Sequence, residues 1–323
     1  MTRVAVIGEC MIELSHLDDA TLALAYAGDT LNMALHLARW GREAGIEVDY
    51  VTRLGDDHHS DAMVAGWERE GIGTGLVDRI AGCAPGLYLI RVDAAGERTF
   101  TYWRSASPAR RLLADDAHAG VLQAGLEDAD WVYLSGITLS LLGGDAHGRL
   151  LALLDALRLR GTRVAFDTNF RPAAWDSPAT ARARCEDLLA RTDLALPTFE
   201  DEAALFGDRD LAACLERLAT AGVGEAAVKL GADGAVAAAD GAVDHVAAEP
   251  GLEVVDSTGA GDAFNAGYLQ AGLRGHAPPG AARAGNRLAA AAIGHRGAIV
   301  PADAMPDAPG PPVVGAAGFT HRD

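Results

Sequence analysis

The sequence predicts an α/β fold built on a largely parallel sheet with helices on both faces. Three observations lead there. Short apolar runs alternate with longer amphipathic stretches along most of the chain. Half of the 323 residues are hydrophobic and 22% are charged, which is enough to bury a large core and too apolar for general disorder. The alternation breaks at only two places, residues 10–27 and 85–104.

Taken in order, the first strand is 4–7, an unbroken apolar run suited to a buried parallel strand. Residues 10–27 read as short strands with turns. A helix over 30–40 leads to a strand at 48–52 and a helix at 60–70. Residues 87–92 and 98–104 are strand-like and flank Asp93-Ala94-Ala95-Gly96-Glu97, a Gly-containing turn, so this stretch reads as a β-hairpin. A hairpin inserted between α/β units suggests a lid over a site. Strands then recur at 131–134, 164–166, 194–196, 226–230 and 235–239. Helices fall at 145–160, 178–191, 210–221, 261–273 and 280–293. In the first of these, Leu150, Leu153, Leu154 and Leu157 form one apolar stripe. Length alone gives a prior near two domains, at about 150 residues each, but the continuous alternation favours one domain over 1–303. Its lid strands come from about 10–27 and 85–104. A Pro/Gly/Ala-rich tail, 304–323, is expected to fray from about Pro306.

Composition narrows the function. A net charge of −18 and a pI near 4.9 argue against nucleic acid or an anionic membrane as partner. No apolar run reaches 18 residues, and the start is too short an apolar run for a signal peptide. Cys10, Cys83, Cys185 and Cys214 have neither metal nor redox spacing. Free thiols in a reducing compartment follow, and with them a soluble cytoplasmic protein. Of the 27 basic residues 26 are Arg, and the single lysine, Lys229, is followed by Leu230, so a Gly-Lys-Ser/Thr phosphate loop is absent. The only His-Arg-Asp is His321-Arg322-Asp323, too late for a protein-kinase catalytic loop. Gly8-Glu9-Cys10 lacks the glycine pattern that a dinucleotide-binding oxidoreductase needs after its first strand. His58-His59 lacks a third metal ligand and reads as surface loop.

The strongest chemical signal is Asp256-Ser257-Thr258-Gly259-Ala260-Gly261-Asp262-Ala263-Phe264, between a strand-like Val254-Val255 and a helical run. Glycines let successive N–H groups point one way, and φ > 0 is expected at Gly261. The helix N-terminus adds its dipole, giving an anion site suited to phosphate. Asp262 in the first turn could take a proton from a hydroxyl attacking a terminal phosphate. A Gly-rich turn capped by Asp262 is the competing reading.

This segment resembles the signature of the ribokinase-like, or PfkB, carbohydrate kinases, and the resemblance covers nearly the whole chain. It implies a ribokinase-like three-layer sandwich with a small β-sheet lid, ATP as phosphoryl donor and Mg²⁺. It implies Asp262 as catalytic base, with Gly259, Ala260 and Gly261 as the anion hole and Thr258 beside the nucleotide. Lys229-Leu230-Gly231-Ala232-Asp233-Gly234 looks like the family's nucleotide-side turn, which assigns Lys229, Gly231 and Gly234 to ATP. Asn286 sits where the family often has an Asn near the adenine. Thr198 and Asp201 stand in place of the Asn and Glu of the family's Asn-x-x-Glu motif, leaving Asp201 as a water-mediated Mg²⁺ residue. Whether a monovalent cation binds near Asp256 stays open.

On the sugar side, Gly28, Asp29 and Asn32 resemble the family's N-terminal sugar motif. Tyr88, Tyr102, Arg104, Asn169 and Arg171 lie in segments similar to those of the subgroup acting on 2-keto-3-deoxygluconate. A forked guanidinium suits a carboxylate, so Arg104 and Arg171 are the expected anchors for an acid sugar. The implied reaction is ATP-dependent phosphorylation of that sugar's C6 hydroxyl, giving 2-keto-3-deoxy-6-phosphogluconate. Another sugar kinase of the family, such as a fructokinase or ribokinase, is the nearest alternative. A non-catalytic sugar sensor is opposed by intact Asp262, Gly259 and Gly261. The exposed lid edge suggests a homo-oligomer.

Overall fold

The computed structural model describes residues 1–18, 20–92 and 98–312. In chain order the elements are β1 (Thr2–Ile7), β2 (Met11–His16), β3 (Leu22–Ala27), α1 (Asp29–Gly41), β4 (Ile46–Gly55), α2 (His58–Arg69), β5 (Ile72–Gly73) and β6 (Val77–Ile80). Then come β7 (Leu87–Val92), β8 (Arg98–Trp103), α3 (Asp116–Gly125), β9 (Trp131–Ser135), α4 (Gly136–Leu141), α5 (Gly144–Arg158), β10 (Arg163–Asp167) and α6 (Pro178–Leu189). The rest are β11 (Leu194–Ala195), α7 (Phe199–Phe206), α8 (Leu211–Thr220), β12 (Glu225–Lys229), β13 (Ala235–Ala239), β14 (Ala242–Val246), α9 (Ala260–Leu273) and α10 (Pro278–Ile293).

Ten strands form one sheet in the order β14-β13-β12-β11-β10-β9-β1-β4-β5, with β6 also on β4. It is parallel from β12 to β5 and β6, and antiparallel only where β13 and β14 fold back. Side chains of β1 alternate between two cores, which makes three layers. Val4 and Val6 pack with α1, α9 and α10, while Ala5 and Ile7 face the core of α5, α6 and α8. The predicted parallel sheet and its covering helices are therefore present. The short helices α3, α4 and α7 and strands β5, β6 and β14 were not anticipated. In β14 four of five residues are exposed, so it carries no apolar alternation to read.

The two interruptions meet in a second, four-stranded sheet ordered β3-β2-β7-β8. Each interruption supplies one antiparallel pair, and β2 joins β7 in parallel with Ile12 opposite Leu87. The predicted turn at 93–97 lies outside the described residues. Register places Glu13, Tyr88 and Tyr102 on one face. Leu24, Leu14, Leu89 and Thr101 share the other, with Tyr26, Ile12, Leu87 and Trp103.

Residues 306–312 are docked on the body rather than frayed. Trp40 Nε1 donates to Pro306 O at 2.7 Å, Arg274 Nη1 donates to Pro309 O at 2.8 Å, and His276 Nε2 pairs with Gly310 O at 2.8 Å. Backbone carbonyls of a Pro-rich segment can be captured by body side chains without any regular structure. Residues 313–323 lie outside the description. No helix among the described residues is long and apolar enough to cross a membrane.

Candidate active site

Helix α9 begins at Gly259, whose φ of 73° is left-handed and whose Cβ, if present, would lie 2.6 Å from Ala298 O. Glycine is required there on both counts. The expectation of φ > 0 at Gly261 is corrected: Gly261 is helical, and a Cβ on it would meet only Lys229 Nζ, at 3.4 Å. Ahead of the helix, the Asp256 carboxylate accepts from Thr258 N at 2.7 Å and from Gly297 N at 2.9 Å. That fixes the turn. The N–H groups of Ala260, Gly261 and Asp262 then open the helix with no intrahelical acceptor, and the positive end of the dipole lies among them.

Asp262 follows in the first turn, almost fully buried, and accepts from Asn32 Nδ2 at 2.8 Å. Asn32 comes from α1, which packs on α9. Asp29 opens α1 and accepts from Asn169 Nδ2 at 2.8 Å. Asn169 itself stands just past β10 with φ of 34°. At Gly28 a Cβ would fall 2.1 Å from Glu9 O, so only glycine lets the chain pass there. Burial, and then the Asp29 charge, push Asp262 up to about 7, with the Asn32 hydrogen bond, the Asp167 charge and the Lys229 charge as smaller influences. Burial also raises Asp29, opposed by hydrogen bonds from Ser135, Thr30 N and Asn169.

Lys229 ends β12 and is buried under this turn. Its Nζ donates to Asp167 Oδ2 at 2.7 Å and to Asn265 Oδ1 at 2.9 Å. Asn265 in turn donates to Tyr133 OH at 2.9 Å and to Asp167 Oδ2 at 2.6 Å. The single lysine thus braces the base of α9, which local sequence did not reveal because Asp167 lies 62 residues away. Gly231 and Gly234 shape the β12–β13 turn that follows it. Asn286 Nδ2 donates to Val246 O at 3.1 Å and to Ala247 O at 2.9 Å, so its amide donors hold the chain after β14.

A cavity of about 1280 Å³ lies between the lid and the body, with Gly28 and Asp29 in its wall. Tyr102, Arg104 and Arg171 line it, as do Arg110 and Arg111, two cations that sequence reading missed. Arg104 donates to Glu9, a buried carboxylate raised by burial and held down chiefly by Arg104. Arg171 Nη1 donates to both Asp201 oxygens at 3.1 Å. Tyr102 feels the charges of both Arg104 and Arg171. Tyr88 is buried and donates its hydroxyl to Glu13, so it turns its hydroxyl inward.

Thr198 forms a parallel bridge with Lys229 and precedes α7, and Asp201 sits in the first turn of α7. Burial raises the Asp201 carboxyl, Arg171 lowers it and Asp167 raises it again. Negative charge that is penalised by burial and by a second acid suits a hard cation carrying its own waters, so these residues fit Mg²⁺. Neighbouring Glu202 does not join them. It is fully buried, pushed up to about 7 by burial and paired with Arg217, which also holds Asp208 at 2.7 Å. His59 is occupied by Tyr26 OH at 3.0 Å.

Comparison with known proteins bears on the family and the fold. The family model described as pfkB family carbohydrate kinase matches residues 1–305. A 2-dehydro-3-deoxygluconokinase of Dickeya dadantii is 43% identical over 94% of this chain and 98% of its own. The Haemophilus influenzae protein of the same description is 42% identical over 93% and 96%. A Klebsiella pneumoniae fructokinase is more distant, at 30% over 86% of each. Among solved structures, 2-dehydro-3-deoxygluconokinase from Thermotoga maritima superposes with a TM-score of 0.81 at 21% identity, over 93% of this chain and 96% of that one. An Escherichia coli protein assigned as ribokinase II, in complex with ATP and Mg²⁺, also reaches 0.81 at 21% identity, over 93% and 95%.

Proposed function

This chain belongs to the pfkB family of carbohydrate kinases, and on that premise we propose that it moves the γ-phosphoryl group of ATP to the C6 hydroxyl of 2-dehydro-3-deoxy-D-gluconate, also called 2-keto-3-deoxygluconate. The products are the 6-phosphate and ADP. One observation carries the reading: an Arg-lined cavity ends on Asp29, whose charge acts on the buried carboxylate of Asp262. An acid sugar of six carbons can meet cations at C1 and a base at C6. The relatives described as 2-dehydro-3-deoxygluconokinases support that choice over fructose.

In this reading Asp262 receives the C6 hydroxyl proton. A carboxyl lifted to about 7 is matched to that task near neutral pH. Asn32 aims it, and Gly28, Asp29 and Asn169 form the sugar-binding wall beside it. Amides of Gly259, Ala260 and Gly261 hold the phosphate charge, with Thr258 at the rim and Lys229 beneath them. Asp201 and Asp167, near Thr198, would hold Mg²⁺ through water; when bound, the ion neutralises charge on the phosphates. Tyr102, Arg104 and Arg171 hold the acid end, and the Tyr88 ring backs them. The lid keeps water out of the cavity. A second copy of the chain is the proposed partner of the outer lid face, where Leu22, Leu24 and Trp103 are exposed.

The test is ADP release with a panel of 2-keto-3-deoxygluconate, gluconate, fructose and ribose. The keto acid should be turned over fastest. Faster phosphorylation of fructose or ribose would sink the substrate assignment and leave the family alone standing. No release with any sugar would leave a binding protein on a kinase fold.

A further inference from the structure

We propose that Arg110 is a specificity-determining residue that binds the substrate carboxylate, an inference that rests on the acid-sugar reading above. Four guanidinium groups line the cavity, from Arg104, Arg110, Arg111 and Arg171. Two of them already face protein carboxylates, Glu9 and Asp201. Among the described residues, no hydrogen bond or ion pair engages the guanidinium of Arg110 or Arg111, although Arg53 Nη1 donates to the Arg111 carbonyl at 2.7 Å. The cavity wall offers them no free acid: Glu9 is held by Arg104, and Asp29 by Asn169. Uncompensated positive charge facing a cavity selects an anion.

Arg110 is distinguished from Arg111 by position. Both line the cavity, but of the two it is Arg110 whose charge also acts on the Glu9 carboxyl, beside Arg104 and Ser107. There the Glu9–Arg104 pair is incompletely satisfied, since Glu9 Oε1 and Arg104 Nε are buried without a hydrogen-bond partner. A ligand carboxylate can meet the exposed Arg110 guanidinium in the cavity that Glu9 and Arg104 also line. The backbone of Arg110 is fixed, because Arg110 N donates to Ser107 O at 3.1 Å and the flanking Ser107 and Ala109 are buried. The side chain is exposed and can turn to the ligand. Carboxylate contact at C1 is the same before and during transfer at C6. Arg110 therefore contributes uniform binding and appears in KM, not kcat.

The experiment compares the parent with Arg110→Met, Arg110→Lys and Arg111→Met. It measures kcat and KM for the keto acid at two salt concentrations, KM for ATP, and keto-acid binding by calorimetry without ATP. Arg110→Met should raise KM for the keto acid by roughly 5–30-fold, less than loss of a fully buried pair because the side chain is exposed. Its kcat, its KM for ATP and its melting temperature should match the parent. Arg110→Lys should recover part of the loss. The rise of KM with salt should be flatter in Arg110→Met than in the parent. The assignment is overturned if Arg110→Met keeps the parental KM, if Arg111→Met raises it as much, or if kcat falls in step. A parent that prefers a neutral sugar overturns the activity reading before any variant is made. A parent that prefers the keto acid with Arg110→Met unchanged overturns Arg110 alone.

Discussion

The start of α9 and the lid-side wall of the cavity handle charge in opposite ways. Around Asp262 the partners come from distant elements, and three of them are buried, Asn32 on α1, Asp167 on β10 and Lys229 on β12, beside the part-buried Asp29. On the lid side Tyr102 and Arg171 are half exposed, and the cations sit on a hairpin and on loops. Burial is what raises Asp262, so the proposed base needs the closed, cross-braced end. The exposed cations do not need it. A guanidinium in contact with water can exchange a protein carboxylate for a ligand carboxylate at small cost. In the proposed reaction, chemistry and choice of substrate thus fall in different dielectric environments of one cleft.

The hardest blow to that contrast would come from Asp262→Asn. It keeps the size of the side chain and should lower kcat by roughly 10²–10⁴, the usual worth of a positioned base. Thermal melts at pH 8 should show it at least as stable as the parent, because a buried charge has been removed. Near-normal turnover would remove Asp262 from the chemistry. Next, Lys229→Met leaves Asp167 buried without its cation and should cost about 3–5 kcal/mol in urea unfolding. Arg171→Ala on the exposed wall should cost less than about 1 kcal/mol by the same measurement. Equal costs would erase the distinction. Third, Arg104→Ala and Arg171→Ala should each lower kcat/KM for the keto acid by roughly 10–150-fold with ATP binding unchanged, the range expected for one charged hydrogen-bonding partner. Arg104→Ala should also lower stability, since Glu9 would stay buried alone. The most gradual effect is that of pH. Asp262 is raised in the fold from 3.8 to about 7, so the folded protein holds the proton more tightly than the unfolded chain. Its stability contribution is complete below about 3.8 and is lost as pH rises through about 7. Base activity has the opposite sign, so kcat should rise through the same range while the melting temperature falls. A kcat that is flat from pH 6 to 8 would break the link.

Much of this was legible in the residues themselves. The run of Asp256 to Asp262 declares an anion-binding helix start, and two breaks in the strand–helix rhythm declare the lid. What stayed hidden depends on contacts far apart in the chain. Lys229 reads as a nucleotide-side lysine, and its pairing with Asp167 is visible only once the end of β10 lies near that of β12. Asn286 reads as a ligand residue, and only the fold shows its Nδ2 holding Val246 O and Ala247 O. The conformational glycine is Gly259 and not Gly261, because the neighbour that leaves no room is Ala298, two helices further along the chain. Arg110 and Arg111 carry no periodicity or motif, and only the folded cavity distinguishes them from other surface arginines.

The pairing of β2 with β7 also sets a timetable for synthesis. Ile12 has to wait for Leu87, and the sheet is complete only when Trp103 has been made. Until then β2 and β3 are a two-stranded ribbon, which is marginal in water. β1 waits longer still, since one of its neighbours, β9, begins at Trp131. The nascent chain therefore leaves the ribosome with its first apolar strands incompletely paired for about a hundred residues, some 5–20 seconds at about 5–20 residues per second. That interval, rather than the finished enzyme, is when Leu14, Leu22 and Leu24 are most open to wrong partners.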